Sequence, residues 1–332
     1  MHFRDFDISI LPRNYEVMDW LDVTPRADES MWRLPFMVMS GTKAGPTLLV
    51  TAGIHGDEYE GMEAIPRIFE RIASHELSGT LLMLPICNKP AYEVAQRISP
   101  IDDLNLARVF PGDEHGTITQ QIAFWITEKL LKHADFFIDL HSAGVAYNIP
   151  TLIGYLDSDD ALGQASRSAA EAFGAPIMWG HPLPIPPGRS ISAATDLGVP
   201  SLYTEAPGGG YTRPEDVDCF VTGVVNVMRH LGMVSGKPQP LPPTHHLLGD
   251  GNLDTVISAS VAGRFQALVN LLDEVKRGDC LGSIQDAFGH TIEEIIADRD
   301  GVVIMIRRLQ RVTLGDGLIH LTNHYKAVKK ED

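Results

Sequence analysis

The sequence predicts an α/β core, a sheet flanked by helices on both faces, followed by a small all-β module. Three observations carry this. Apolar runs of strand length alternate with amphipathic stretches of helical period from about residue 34 to residue 232. His55, Glu58, His141 and Glu205 fall directly after such runs, where open α/β sheets gather their ligands. Composition then shifts at Gly236: GKPQPLPPTHH places four prolines in eleven residues, and short strands separated by glycine turns take over. The expected units are a first domain over 1–240 and a C-terminal β domain over 247–332.

Residues 34–39 and 47–51 read as strands, and the turn signal GTKAGP between them predicts a hairpin. Over 58–72, Met62, Ile65, Ile68, Phe69 and Ile72 recur at three-and-four spacing, a helix with one apolar face. A strand follows at 80–86. The stretch 88–116 has no period, and a loop that long inside a compact domain is usually functional. A helix starts near Thr117, and 136–140 is a buried strand interrupted only by Asp139. Next come a strand at 151–155, an alanine-rich helix over about 160–173, the loop HPLPIPPGRS and a short helix near 191–197. The strand 199–204, the turn APGGG and a helix over about 214–231 complete the first domain. Beyond the prolines, strands are expected in VISASVAGRF, ALVNLL, DCLGSI, HTIEEIIAD, GVVIMIRRLQ and LIHLTN.

With 332 residues and 44% hydrophobic content, the chain can bury one large core, or a large and a small one. Its net charge of -16 repels a polyanion over most of the surface, so nucleic acid is excluded as a partner. The acidity reads as a solvated surface, weakly compatible with a cationic substrate. Cys87, Cys219 and Cys280 are far apart and form no CxxC, which points to a reducing compartment. The opening MHFRDFDISILPRNYEVMDW lacks the apolar stretch of a signal peptide, and no run of about 18 apolar residues occurs. The expectation is a cytoplasmic protein with a small-molecule partner and no membrane partner. A homo-oligomer is compatible with the sequence, which does not set the subunit number.

The chemistry begins in TLLVTAGIHGDE, where a strand runs into His55 and Glu58, an imidazole and a carboxylate three apart that can close on one cation. His141 sits at a similar exit in FIDLHSAG. Two histidines and a glutamate leave a fourth position open, the composition of a catalytic zinc site rather than a closed structural one. One zinc per chain and metal-assisted hydrolysis follow, although the donor set also accepts cobalt, nickel or manganese. Asp57 either orients an imidazole or caps the following helix, and Asp139 is placed to hydrogen-bond near the metal. His181 and Arg189 flank the proline-rich loop that should border the site. His245 and His246 offer at most adventitious metal binding.

The strings GIHGDEYEG, LNLARVFPG, DLHSAG and TEAPGGG, in that order, resemble the succinylglutamate desuccinylase and aspartoacylase family, a branch of the zinc carboxypeptidase-like hydrolases. The resemblance covers most of the chain. It implies a zinc-carboxypeptidase-like mixed sheet flanked by helices in a zinc hydrolase domain, with zinc on His55, Glu58 and His141. It implies that Glu205 is the general base, a task that suits a carboxylate near a metal. Arg108 matches the family arginine that forks onto the substrate carboxylate, and Arg97 is similar in placement to a second arginine that polarises the scissile carbonyl. One departure concerns the substrate: the family usually carries asparagine directly before the first of these arginines, and this chain has Ala107. In an extended segment Asn105 faces the same side and is the candidate to compensate in substrate binding.

The C-terminal stretch from SVAGRF to VVIMI is similar to the hammerhead fold of biotinyl and lipoyl carrier domains. Its lysine, Lys276, lies where that pattern has an ordinary surface residue, so modification is not expected. In the deacylase family a C-terminal β domain narrows the mouth of the active site, which favours small substrates. The implied activity is removal of an acyl group from a small N-acyl amino acid or related metabolite. The alternatives are a metallocarboxypeptidase acting on peptides and a non-catalytic binding protein on the same fold.

Overall fold

The computed structural model describes residues 1–252 and 256–324. In chain order the first elements are β1 (Tyr15–Pro25), β2 (Met31–Ser40), β3 (Lys43–Ala52), α1 (Tyr59–Arg71), β4 (Ser78–Leu84), α2 (Lys89–Tyr92) and α3 (Ile118–Lys129). There follow β5 (Phe136–Leu140), β6 (Tyr147–Asn148), β7 (Leu152–Leu156), α4 (Ala161–Phe173), β8 (Ile177–His181), α5 (Ser190–Asp196), β9 (Ser201–Glu205) and α6 (Pro214–His230). The remainder is strand: β10 (His245–Leu248), β11 (Ile257–Ser258), β12 (Gly263–Ala267), β13 (Glu274–Val275), β14 (Cys280–Gln285), β15 (Thr291–Ile296), β16 (Gly301–Arg307), β17 (Arg311–Val312) and β18 (Gly317–His324).

A mixed sheet runs in the order β1-β2-β4-β3-β5-β9-β7-β8-β10-β18-β16-β13, with β11 on β18 and β6 on β16. A separate antiparallel sheet, β15-β14-β12-β17, lies in the C-terminal part. At the centre β4, β3, β5 and β9 are parallel neighbours, and β7 runs antiparallel beside β9. Strand period two sorts the central side chains to opposite faces. Leu48, Val50 and Ala52 of β3, with Phe136, Ile138 and Leu140 of β5, join α1, α4 and α6 in one core. Leu49 and Phe137 point the other way, onto α3 and α5. Each buried side chain of this size stabilises the fold by about 1.5–3 kcal/mol relative to exposure, so the sheet is fixed from both sides.

Helix ends follow the local sequence. Thr117 and Gln120 form a capping box at the start of α3, and the Asp160 side chain accepts from the Gly163 amide at 2.8 Å to start α4. Among the described residues no helix is long and apolar enough to cross a membrane.

Three expectations need correction. The segments 34–39 and 47–51 are strands, but they are not a hairpin: β4 inserts between β2 and β3, and β3 pairs with it in parallel. The turn at Gly41 and Gly45 packs on the backbone of 77–79, which fills the space a hairpin partner would need. The hairpin is instead β1 with β2, so the N-terminal segment supplies an unforeseen edge strand. ALVNLL forms no strand beyond Ala267; Leu271 and Leu272 turn the chain, and Leu272 adopts a positive φ of 70°. The proline-rich segment ends in β10, which lies parallel to β8 and antiparallel to β18, so the main sheet continues through it.

Candidate active site

Three adjacent strands deliver the reactive groups. β3, β5 and β9 are neighbours, with Ala52 opposite Leu140 and Leu140 opposite Thr204. His141 and Glu205 are each the next residue, so they leave the sheet side by side at a strand separation of about 4.8 Å. His55 and Glu58 reach the same point by a turn after β3. Gly56 permits that turn, because a Cβ there would lie 2.2 Å from the Ala91 carbonyl carbon of α2. Thr204 ties the two strand ends together, its hydroxyl lying 3.1 Å from the His141 amide, which donates to it, and 3.2 Å from the His141 carbonyl.

Glu58 is the hub of a buried cluster. One carboxylate oxygen meets His55 Nδ1 at 2.7 Å and Arg97 Nη1 at 2.9 Å; the other meets His141 Nδ1 at 2.8 Å and the Ser142 amide at 3.2 Å. The far nitrogens are engaged as well. His55 Nε2 contacts Asn105 Oδ1 at 3.1 Å, and His141 Nε2 contacts Asp139 Oδ2 at 3.0 Å. Both are acceptors, so each Nε2 carries a proton, and each Nδ1 faces a Glu58 oxygen. Asp139 is itself held by the hydroxyls of Thr51, at 2.7 Å, and Ser190. The ligand atoms of His55, Glu58 and His141 lie within 4.8 Å of one another. Outer acceptors that orient imidazoles in this way are what a metal site requires, so the residues present fit a divalent cation.

Glu205 is 9% exposed, and its Oε2 has no hydrogen-bond partner among the described residues. Burial, reinforced by the Glu58 charge, pushes its carboxyl up to about 8. His55 goes the other way: burial and the Arg97 charge pull it down to about 4. Burial opposes the charge on Glu58, yet the two imidazoles hold its carboxyl well below the usual range. The turn after Glu205 is fixed from two sides. Gly208, at φ 62°, packs so closely on the 144 turn that a Cβ would lie 2.4 Å from the Gly144 carbonyl oxygen. Arg308, from the segment after β16, donates to the Pro207 carbonyl at 2.8 Å.

These groups open into a pocket with about 730 Å³ of empty volume, counting the part open to solvent. His55, His141 and Glu205 line it together with Arg97, Ala107 and Arg108. Arg108 donates to the Ala107 carbonyl at 3.0 Å, and the proline-rich loop packs behind it through the 3.0 Å bond from the Phe110 amide to the Gly188 carbonyl. His181 and Arg189 also line the pocket, in keeping with their position around that loop. Asn105 sits behind His55 instead, its amide oxygen shared by the imidazole and the Ala107 amide at 2.9 Å. Asp57 neither caps α1 nor meets an imidazole; it accepts from the Val145 amide at 3.0 Å and so holds the turn after His141. His246 meets the Tyr155 hydroxyl at 2.7 Å, and His245 meets Thr244.

Nothing in the sequence reading marks Trp179, Tyr203 or Asp250, all of which line the pocket. Tyr203 carries a weak signal, since it lies two residues before Glu205 on one strand and shares its face. Asp250 carries none, because it reaches the pocket only through the pairing of β10 with β8.

A family model described as the succinylglutamate desuccinylase/aspartoacylase catalytic domain matches residues 44–231. The chain is 32% identical over 301 residues to the N-alpha-acetyl-L-2,4-diaminobutyric acid deacetylase of Halomonas elongata, covering 87% of this chain and 86% of that protein. It superposes on the crystal structure of a succinylglutamate desuccinylase/aspartoacylase from Rhodobacter sphaeroides with a TM-score of 0.86 at 30% identity, covering 97% and 98% of the two chains. The product-bound ectoine utilization protein of Ruegeria pomeroyi also matches with a TM-score of 0.86 at 30% identity, over 95% of this chain and 98% of the other.

Proposed function

The chain belongs to the succinylglutamate desuccinylase/aspartoacylase family, and on that premise we propose that it is a zinc-dependent amidohydrolase that deacylates a small N-acyl amino acid. The observation that carries this reading is the pairing of a His55, Glu58, His141 donor set with a buried carboxylate, Glu205, whose Oε2 has no hydrogen-bond partner among the described residues. A zinc ion held by the three residues would supply Lewis acidity to the substrate carbonyl and to a water molecule, and its charge would favour ionised Glu205.

Glu205 takes the proton from the attacking water and delivers it to the amide nitrogen, so the C–N bond breaks with a neutral amine as leaving group. Arg97, within reach of the cluster, donates to the carbonyl oxygen as negative charge develops there. Arg108 receives the substrate carboxylate at the pocket wall. Asn105 acts through His55, fixing its tautomer and aim. The walls contributed by Ile185, Pro186 and Asp250 support a metabolite rather than a peptide as substrate.

The test is a panel of N-acetyl and N-succinyl amino acids assayed alongside metal analysis. Release of the free amino acid by protein carrying about one zinc supports the reading. Activity that survives both chelation and Glu205→Gln would sink it.

A further inference from the structure

The turn that follows Glu205 has little to hold it from within. Gly208, Gly209 and Gly210 all sit at positive φ, 62°, 104° and 78°, and a run of glycines resists ordering because it has the most freedom to lose. The Glu205 carboxylate does not anchor it, since Oε2 has no hydrogen-bond partner among the described residues. The aim of that carboxylate therefore depends on where the backbone around it is pinned.

The pins come from two other segments. The Ala206 carbonyl accepts from the Ala143 amide at 2.9 Å, and the Gly209 amide donates to the Gly144 carbonyl at 2.8 Å, so the turn rests on the one that follows His141. That second turn is held in its own right by the C-terminal strands. Ile306 and Arg307 of β16 pair with Asn148 and Tyr147 of β6, and the Arg308 amide donates to the Ala146 carbonyl at 2.8 Å. The Arg308 side chain then closes the arrangement. Its Nη2 donates to the Pro207 carbonyl at 2.8 Å and to Asn148 Oδ1 at 3.2 Å, and its Nη1 fills the place of a side chain at Gly209, where a Cβ would lie 2.3 Å away. A planar guanidinium can serve these contacts at once with fixed geometry, which a lysine ammonium cannot.

We propose that Arg308 is a positioning residue for hydrolysis: by gripping the Pro207 carbonyl and packing on Gly209 it fixes the turn that aims Glu205. Arg308 lies outside the pocket lining, so strand β16 sets the geometry of a reaction it does not touch. The inference rests on the reading of Glu205 as general base.

Steady-state kinetics of the zinc-loaded full chain on the panel of N-acetyl and N-succinyl amino acids test it, with hydrogen exchange over 206–210 followed alongside. Arg308→Ala should lower kcat about 10- to 100-fold, as misplacement of a reacting group by about 1 Å does, while KM and zinc content stay near wild type and exchange in the turn speeds up. Arg308→Lys should fall between the two. In a Glu205→Gln background Arg308→Ala should cost little more, because there is no base left to aim. A kcat for Arg308→Ala within about twofold of wild type, a loss matched by lost zinc, or losses that simply add in the double variant overturns the proposal. Should Arg308→Ala not fold, wild-type kcat in Arg308→Lys overturns it instead. Full turnover by Glu205→Gln sinks the general-base reading rather than the clamp, and exchange over 206–210 in Arg308→Ala then still decides whether Arg308 holds the turn.

Discussion

The two ends of the pocket are made in different ways. At the end with the candidate metal ligands, His55, Glu58, His141 and Glu205 come from three neighbouring parallel strands, each group within a few residues of its strand end. At the other end, Trp179 and His181 come from β8, Tyr203 from β9, and Asp250 from the chain after β10. The first end needs only the register of one parallel sheet. The second exists because β10 pairs with β8 and carries Gly249 to His181, some seventy residues away in sequence. The first set thus sits at the ends of three parallel neighbours, and the second sits where later chain closes over the sheet.

The largest effect that would break this contrast is at the first end. His55→Ala should abolish both zinc content and turnover, as read by metal analysis and product release. Glu205→Gln should keep the metal and lower kcat by about 10³-fold, a separation that a merely structural carboxylate would not give. Asn105→Ala should weaken metal binding by about 10- to 100-fold in a chelator competition. If it raised KM for substrate and left metal affinity alone, Asn105 would belong to substrate binding instead.

The far end and its surroundings should answer in stability. Burial pulls both His181 and His320 down to about 4. The unfolded chain takes up protons near pH 6.5 that the folded chain refuses until about pH 4. Stability from these two groups is therefore complete above pH 6.5 and is lost as pH falls from 6.5 to 4, on the order of 3 kcal/mol for each. Urea unfolding between pH 7.5 and 4.5 reads this directly, and His320→Gln, away from the pocket, should flatten the slope. Tyr203→Phe leaves His181 Nε2 buried without its donor and should cost about 1–3 kcal/mol in the same assay. No loss would mean that the Tyr203 hydroxyl is free to donate into the pocket.

Much of the core was legible because its periods are clean. The apolar run at 136–140 is β5 as printed in the sequence, and the three-and-four spacing after Glu58 is α1. Pairing was less legible. The turn signal GTKAGP marks a real turn, but a turn does not say which strands become neighbours, and β4, from further along the chain, separates β2 from β3. The same limit applies to the site. His55, Glu58, His141 and Glu205 announce themselves at strand ends, whereas Asn105 behind His55 and Asp250 at the far wall have only unremarkable local sequence.

By itself, then, the sequence determined the family, the α/β core and the residues able to hold a cation, since these depend on local period and on residue chemistry at strand ends. The tertiary structure decided which atoms those residues turn toward one another. It set the Nδ1 faces of two imidazoles on Glu58 by placing Asn105 and Asp139 at their backs, and left Glu205 with an oxygen unpartnered among the described residues. It also decided the character of the far wall. The reason is physical: hydrogen-bond direction is set by pairs, and the partners of these side chains arrive from distant strands that only long-range pairing brings together.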